Sequence, residues 1–174
     1  LQTNVFLDCS HASEYAKDER IAAVSLCQMD KELPSWMILI IEYNAQHADV
    51  IRETLKRSSL QHEIHVIQNG TAAIDYLKQN SEDPTAQRPN LIFLNLDLPD
   101  RDGKEILAEL KADRRLRRIP IVVLNDSSDE TDVFKSYELQ GNCYVVKTAD
   151  TEQLPEVIKK INKFWLEIVT LPLE

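Results

Sequence analysis

From residue 37 onward, short apolar runs alternate with segments whose apolar residues recur at helical spacing. "MILII" at 37–41, "LIFL" at 91–94 and "IVVL" at 121–124 are too short for helices, and they are apolar at every position. That is the pattern of strands buried on both faces. Asn44, a residue that caps helices, precedes Ala48, Ile51 and Leu55 on one helical face. Residues 63–67 alternate instead, with Ile64 and Val66 on one side and Glu63 and His65 on the other, as in an edge strand. Asn69-Gly70 reads as a turn before a helix bearing Ile74 and Leu77. After the polar loop "NSEDPTAQRPN" at 80–90, Ile106, Leu107 and Leu110 place a helix over 103–111. Ser127-x-x-Glu130 has the form of a capping box for a helix with Val133, Phe134 and Tyr137, and Gly141 is expected to end it. A strand at 144–146 follows. Asp150-x-x-Gln153 then opens a last helix that runs to about residue 168.

Five strand–helix repeats imply an α/β fold with a parallel sheet covered on both faces. In such sheets the site lies beyond the carboxyl ends of the strands. The residues there are Glu42 and Tyr43, Asn95, Asn125 and Lys147. The last helix carries Leu154, Ile158, Ile161, Trp165 and Ile168 in one stripe, widened by Val157 and Phe164. A stripe wider than sheet packing needs, ending in aromatics, suits an interface core. It predicts a homodimer through Phe164, Trp165 and Ile168; folding back onto the N-terminal segment is the alternative.

The chain has 174 residues and 43% apolar content, enough for one core. Residues 37–168 form the expected domain, 169–174 a tail, and 1–36 an extension with a possible helix over 13–28. With 29 acids against 20 Lys and Arg, the net charge of −9 argues against a nucleic-acid partner. "DRRLRR" at 113–118 reads as a solvated basic loop. Cys9, Cys27 and Cys143 lack CxxC spacing, and the four histidines lack ligand spacing. No run approaches the roughly 20 apolar residues of a membrane span. No secretory leader is visible, so a cytoplasmic location is expected.

"ILIIEYN" at 38–44, "LIFLNLDLPDRDG" at 91–103, "IPIVVLN" at 119–125 and "CYVVK" at 143–147 together resemble the receiver domain of bacterial response regulators. "LKRSSLQHEIHVIQNGTAAIDYL" and "KSYELQGNCYVVK" further resemble the single-domain regulators that pair with phytochromes. The resemblance implies a flavodoxin-like doubly wound sheet of order 2-1-3-4-5. It also implies a role in two-component phosphorelay signalling, with a sensor histidine kinase or phytochrome as partner.

In that family, two acids after the first strand and an aspartate after the third hold Mg²⁺. The third-strand aspartate is also the phosphoryl acceptor. A Thr or Ser after the fourth strand and a Lys after the fifth bind the phosphoryl group. Here those positions hold Glu42 and Tyr43, Asn95, Asn125 and Lys147, so only the lysine matches fully. Leu98, Pro99, Asp102 and Gly103 keep the motif that aligns Asn95, and Asp97 stands where a backbone carbonyl ligates the metal. Thr148 replaces the usual cis-proline. Tyr144 occupies the position of an aromatic that moves between exposed and buried states on activation.

An amide is neutral, and its nitrogen lone pair is delocalised, so Asn95 is no phosphoryl acceptor. Weak or absent Mg²⁺ binding and no catalytic residue are therefore expected. The expected protein is a degenerate, non-enzymatic receiver acting by protein contact, with Lys147 bridging Glu42 and the Tyr43 phenol near Asn95 or Asn125. Two alternatives remain: phosphorylation on a substitute carboxylate among Asp97, Asp100 and Asp126, and a small-molecule sensor using the strand-end pocket.

Overall fold

The computed structural model describes residues 36–57, 62–83, 85–147 and 153–169. The expectations for the extension, for Thr148, for Asp150 and for the tail beyond Val169 lie outside them. The elements run β1 (Trp36–Ile41), α1 (Ala45–Lys56), β2 (His62–Ile67), α2 (Gly70–Glu82), β3 (Leu91–Asn95), α3 (Gly103–Ala112), β4 (Ile121–Asn125), α4 (Glu130–Glu138), β5 (Cys143–Val146) and α5 (Leu154–Asn162), with a π-helical segment at Lys163–Ile168.

All strand pairs are parallel, in the order β2-β1-β3-β4-β5. This is the flavodoxin-like order expected. The central strands β1, β3 and β4 are buried throughout apart from half-buried Trp36, so their apolar runs have no polar face. Their side chains alternate between two cores. Leu39, Ile41, Ile92, Leu94, Ile121 and Val123 meet Ile74 and Leu77 of α2 and Ile106, Leu107 and Leu110 of α3. Ile38, Ile40, Leu91, Phe93, Val122 and Leu124 meet Ile51 and Leu55 of α1 and Leu154, Ile158 and Ile161 of α5. Each such Leu or Ile contributes roughly 1.5–3 kcal/mol by burial. This slab holds the strand ends in register, with Ile40 beside Val66 and Phe93, and Asn95 beside Leu124.

Several local signals resolve differently from the sequence reading. Asn69 caps α2, accepting the Ala72 N–H at 2.8 Å, where a turn was expected. The α4 cap is Asp129, whose carboxylate takes the Thr131 N–H at 2.7 Å. Ser127 instead accepts the Asp129 N–H, so the expected capping box does not form. A carboxylate one residue from the helix outcompetes a hydroxyl three residues away. At the end of α4 the left-handed residue is Gln140 (φ 63°), not Gly141. Gly141 donates its N–H to Ser136 O at 2.8 Å, and a Cβ there would approach that same oxygen to 2.8 Å.

Helix α4 also turns its large side chains outward. Only Ser136 is buried, while Phe134 and Tyr137 are exposed. The last helix departs from its expected stripe for a geometric reason. A π segment bonds five residues back rather than four, so its winding shifts the face by one position. Leu166, five after Ile161, is buried; Trp165 packs against the core only in part; Phe164 and Ile168 are 50% and 65% exposed.

Candidate functional site at the strand ends

Four of the five strand-end side chains converge beyond the sheet, and all four are at most 2% exposed: Glu42, Asn95, Asn125 and Lys147. Glu42 follows β1 and accepts three hydrogen bonds. Its Oε1 accepts the Asn95 Nδ2 at 2.9 Å and the Asn44 N–H at 3.0 Å, and its Oε2 accepts the Lys147 Nζ at 3.0 Å. The expected bridge from Lys147 to Glu42 is present. Lys147 also lies 3.5 Å from the half-exposed carboxylate of Asp126.

The orientation of each amide follows from its neighbours. The Asn95 carbonyl oxygen accepts the Asp97 N–H at 3.0 Å, which leaves the NH₂ for Glu42. The Asn125 carbonyl oxygen accepts the Asp126 N–H at 3.0 Å, which leaves its NH₂ for the Tyr144 hydroxyl at 3.1 Å. Tyr144 in turn donates to Ser127 O at 2.8 Å, and its ring packs against the core. Burial holds this phenol above its ordinary pKa, so it stays a donor at neutral pH.

Tyr43 does not join the site. It is 44% exposed and bonds neither amide, contrary to the contact expected from sequence. Successive residues of an extended chain point to opposite sides, and Glu42 takes the inward direction.

The acidic loop after β3 has mostly structural work. Asp100 accepts the N–H groups of Gly70 and Thr71 and the Thr71 hydroxyl, each at 2.9 Å, which draws its pKa below the ordinary carboxylate value. It therefore holds the first turn of α2. Asp102 caps α3 through the Lys104 N–H at 2.8 Å. Gly103 lies so close to β3 that a Cβ would come within 2.4 Å of Leu96 Cα. Sequence alone showed the acids but not these backbone partners, because the α2 terminus is 30 residues away. Among the described residues, no group of three or more His, Cys, Asp or Glu side chains is placed to hold a metal ion.

The model of the response regulator receiver domain matches residues 38–159, most of the chain and the whole of this site. The chain belongs to the response regulator receiver family. It is a receiver-domain regulator of two-component signalling, as the strand-end motifs implied. The response regulator Rcp1 of Synechocystis sp. is 43% identical over 143 residues, covering 82% of this chain and 97% of that protein. The probable methanogenesis regulatory protein FilR2 of Methanothrix harundinacea is 34% identical, covering 75% of this chain and 84% of that protein. Among solved structures, the phosphorylated cyanobacterial phytochrome response regulator RcpA aligns with a TM-score of 0.75 at 44% identity, covering 80% of this chain and 99% of that one. In this receiver Asn95, the last residue of β3, is an amide bonded to Glu42, which follows β1. Among its described residues no helix is long and apolar enough to cross a membrane.

Proposed function

We propose that this receiver signals without phosphorylation at Asn95, by protein contact from a state that its own side chains hold. The observation that carries the proposal is the buried hydrogen-bond set of Glu42. Its three donors are Lys147, Asn95 and the Asn44 N–H. The donor set does not fit Mg²⁺, which needs several hard oxygens in octahedral array. Here one carboxylate is already neutralised by an ammonium, and its neighbour is an amide whose NH₂ faces that carboxylate and whose oxygen accepts the Asp97 N–H. Asp100 and Asp102 are committed to helix termini, which speaks against their use as substitute phosphoacceptors. Exposed Asp97 and half-exposed Asp126, which lies beside Lys147, are the remaining substitutes to test.

The same reading accounts for Tyr144. An activation aromatic usually needs a trigger, but here the Asn125 amide and Ser127 carbonyl engage its hydroxyl with no phosphoryl group. The α4–β5 surface is thereby held in one arrangement. That surface exposes Phe134, Tyr137 and Val146, and an apolar groove of about 350 Å³ runs along α4 between Glu130 and Glu138. Similarity to Rcp1 and RcpA supports a histidine kinase or phytochrome as the partner that reads it.

The test is a binding titration of the protein against a cognate phytochrome kinase, with and without acetyl phosphate and Mg²⁺. Equal affinity is expected in both; a change of tenfold or more in one direction would refute contact-only signalling. A homodimer belongs to the same reading. Phe164→Asp/Ile168→Asp, at exposed positions, is expected to give a folded monomer by sedimentation, and an unchanged dimer would refute that interface. Trp165, which packs on the core, is the poorer probe.

A further inference from the structure

The opposite end of the sheet carries a feature that phosphoacceptor chemistry does not use. Between α3 and β4 the chain places Arg114, Arg115, Arg117 and Arg118 within five residues, all exposed. Ile121 begins β4 just beyond them, and Asn125 ends it, so the turn lies about 13 Å along the strand from the phosphoacceptor end.

The turn is built rather than loose. Asp113 Oδ1 accepts the Arg115 N–H at 2.7 Å and the Leu116 N–H at 3.3 Å, and Asp113 O accepts the Arg117 N–H at 2.9 Å. Leu116 and Ile119 are buried beneath it. Lys111 fastens it from below, donating to Arg117 O at 3.2 Å, Ile119 O at 2.9 Å and Asn142 Oδ1 at 3.0 Å. Asn142 Oδ1 also accepts the Ile121 N–H at 2.9 Å, which ties the turn to the first residue of β4.

The arginine heads, by contrast, are unmatched. Asp113, the nearest acid in sequence, spends its carboxylate on backbone. Among the described residues no carboxylate pairs with Arg114, Arg115, Arg117 or Arg118, and Arg115 reaches only the Ser81 carbonyl, at 3.3 Å. Elsewhere on this surface, Arg52, Lys56, Lys78, Arg101, Lys104 and Lys159 all have acidic partners. In a chain of net charge −9, a rigid turn of four unpaired guanidinia is a local reversal of sign.

We propose that the turn at 114–118 docks an acidic segment of a partner protein, one that carries several Asp or Glu within one or two helical turns. Guanidinium forks match carboxylates bidentately, which suits a compact acidic motif. A duplex or an anionic bilayer fits less well. Either presents negative charge over a wide surface and would bring the rest of this acidic molecule within the roughly 8 Å over which charges act at physiological salt. The proposal is independent of the state of the strand-end site.

The test uses the full chain and a fluorescein-labelled Asp/Glu peptide of about twelve residues, followed by anisotropy at low and physiological salt. Arg114→Gln/Arg117→Gln/Arg118→Gln is expected to weaken binding about tenfold or more, from the loss of three exposed charge pairs. A control of equal charge change, Lys135→Gln/Lys160→Gln/Lys163→Gln, is expected to keep the affinity within about twofold, and thermal melting checks that both variants fold. Absent peptide binding by the wild type, or equal loss in both variants, would overturn the proposal. So would tighter binding to phosphatidylserine vesicles or a DNA duplex that the arginine variant loses. Salt-sensitive self-association that vanishes in the arginine variant would assign the turn to a second copy, and would overturn it too.

Discussion

Lys147 and Glu42 form a buried ion pair whose two members depend on each other. Removing one side of such a pair leaves an uncompensated charge, at a cost of about 3–5 kcal/mol. Lys147→Met is expected to fall near the lower end, because Asn95 and the Asn44 N–H still serve Glu42. Adding Glu42→Gln is expected to recover most of the loss in urea denaturation, since the double variant buries no charge. Simple additivity would show that the two do not act as a pair. Tyr144→Phe tests the other half of the site. It strips Asn125 Nδ2 and Ser127 O of their partner and is expected to cost about 1–2 kcal/mol. A neutral result would mean that the hydroxyl does not hold the ring in place. At this scale the sequence showed which residues stand at the strand ends, because each follows an apolar run. It did not show that the Tyr43 side chain points away, or that Asp100 serves a helix 30 residues earlier. Those facts depend on the direction of a side chain and the meeting of two loops.

Among the elements, Lys111 makes a prediction for α3 and the turn after it. Burial lowers its pKa to about 8, with no carboxylate to offset the desolvation. A lysine depressed on folding binds its proton less well in the native state than in the unfolded chain. Its penalty is therefore full below pH 8 and is relieved as pH rises from about 8 towards the unfolded value near 10.4. Relative to Lys111→Met, the wild type is expected to gain thermal stability between pH 7 and pH 10; a flat difference would contradict this account. Strands and core helices were legible from periodicity because both sheet faces are covered. Helix ends were less so. Ser127 with Glu130, and Asn69 with Gly70, fit general end signals, yet the actual caps are Asp129 and Asn69 itself. The buried stripe of the last helix departs from α-helical spacing beyond Ile161 because the chain winds there as a π-helix.

For the whole molecule, the parallel sheet follows from five strand–helix repeats, and its order from the resemblance to receivers. The site's chemistry was readable only through the resemblance that aligned Asn95 with an acceptor. The structure adds that both amides are bonded into their surroundings. Asn95 donates to Glu42, Asn125 donates to Tyr144, and Lys147 neutralises the buried Glu42. In the function proposed above, a receiver built this way is held by its own side chains and needs no phosphoryl group to position them. Intact mass after incubation with acetyl phosphate, or with a cognate kinase and ATP, in the presence of Mg²⁺ tests that claim most directly. The account predicts an unmodified protein under conditions that fully label a receiver with an aspartate acceptor. A base-labile adduct of one phosphoryl group, lost when Asp97 or Asp126 is replaced by Asn, would contradict it.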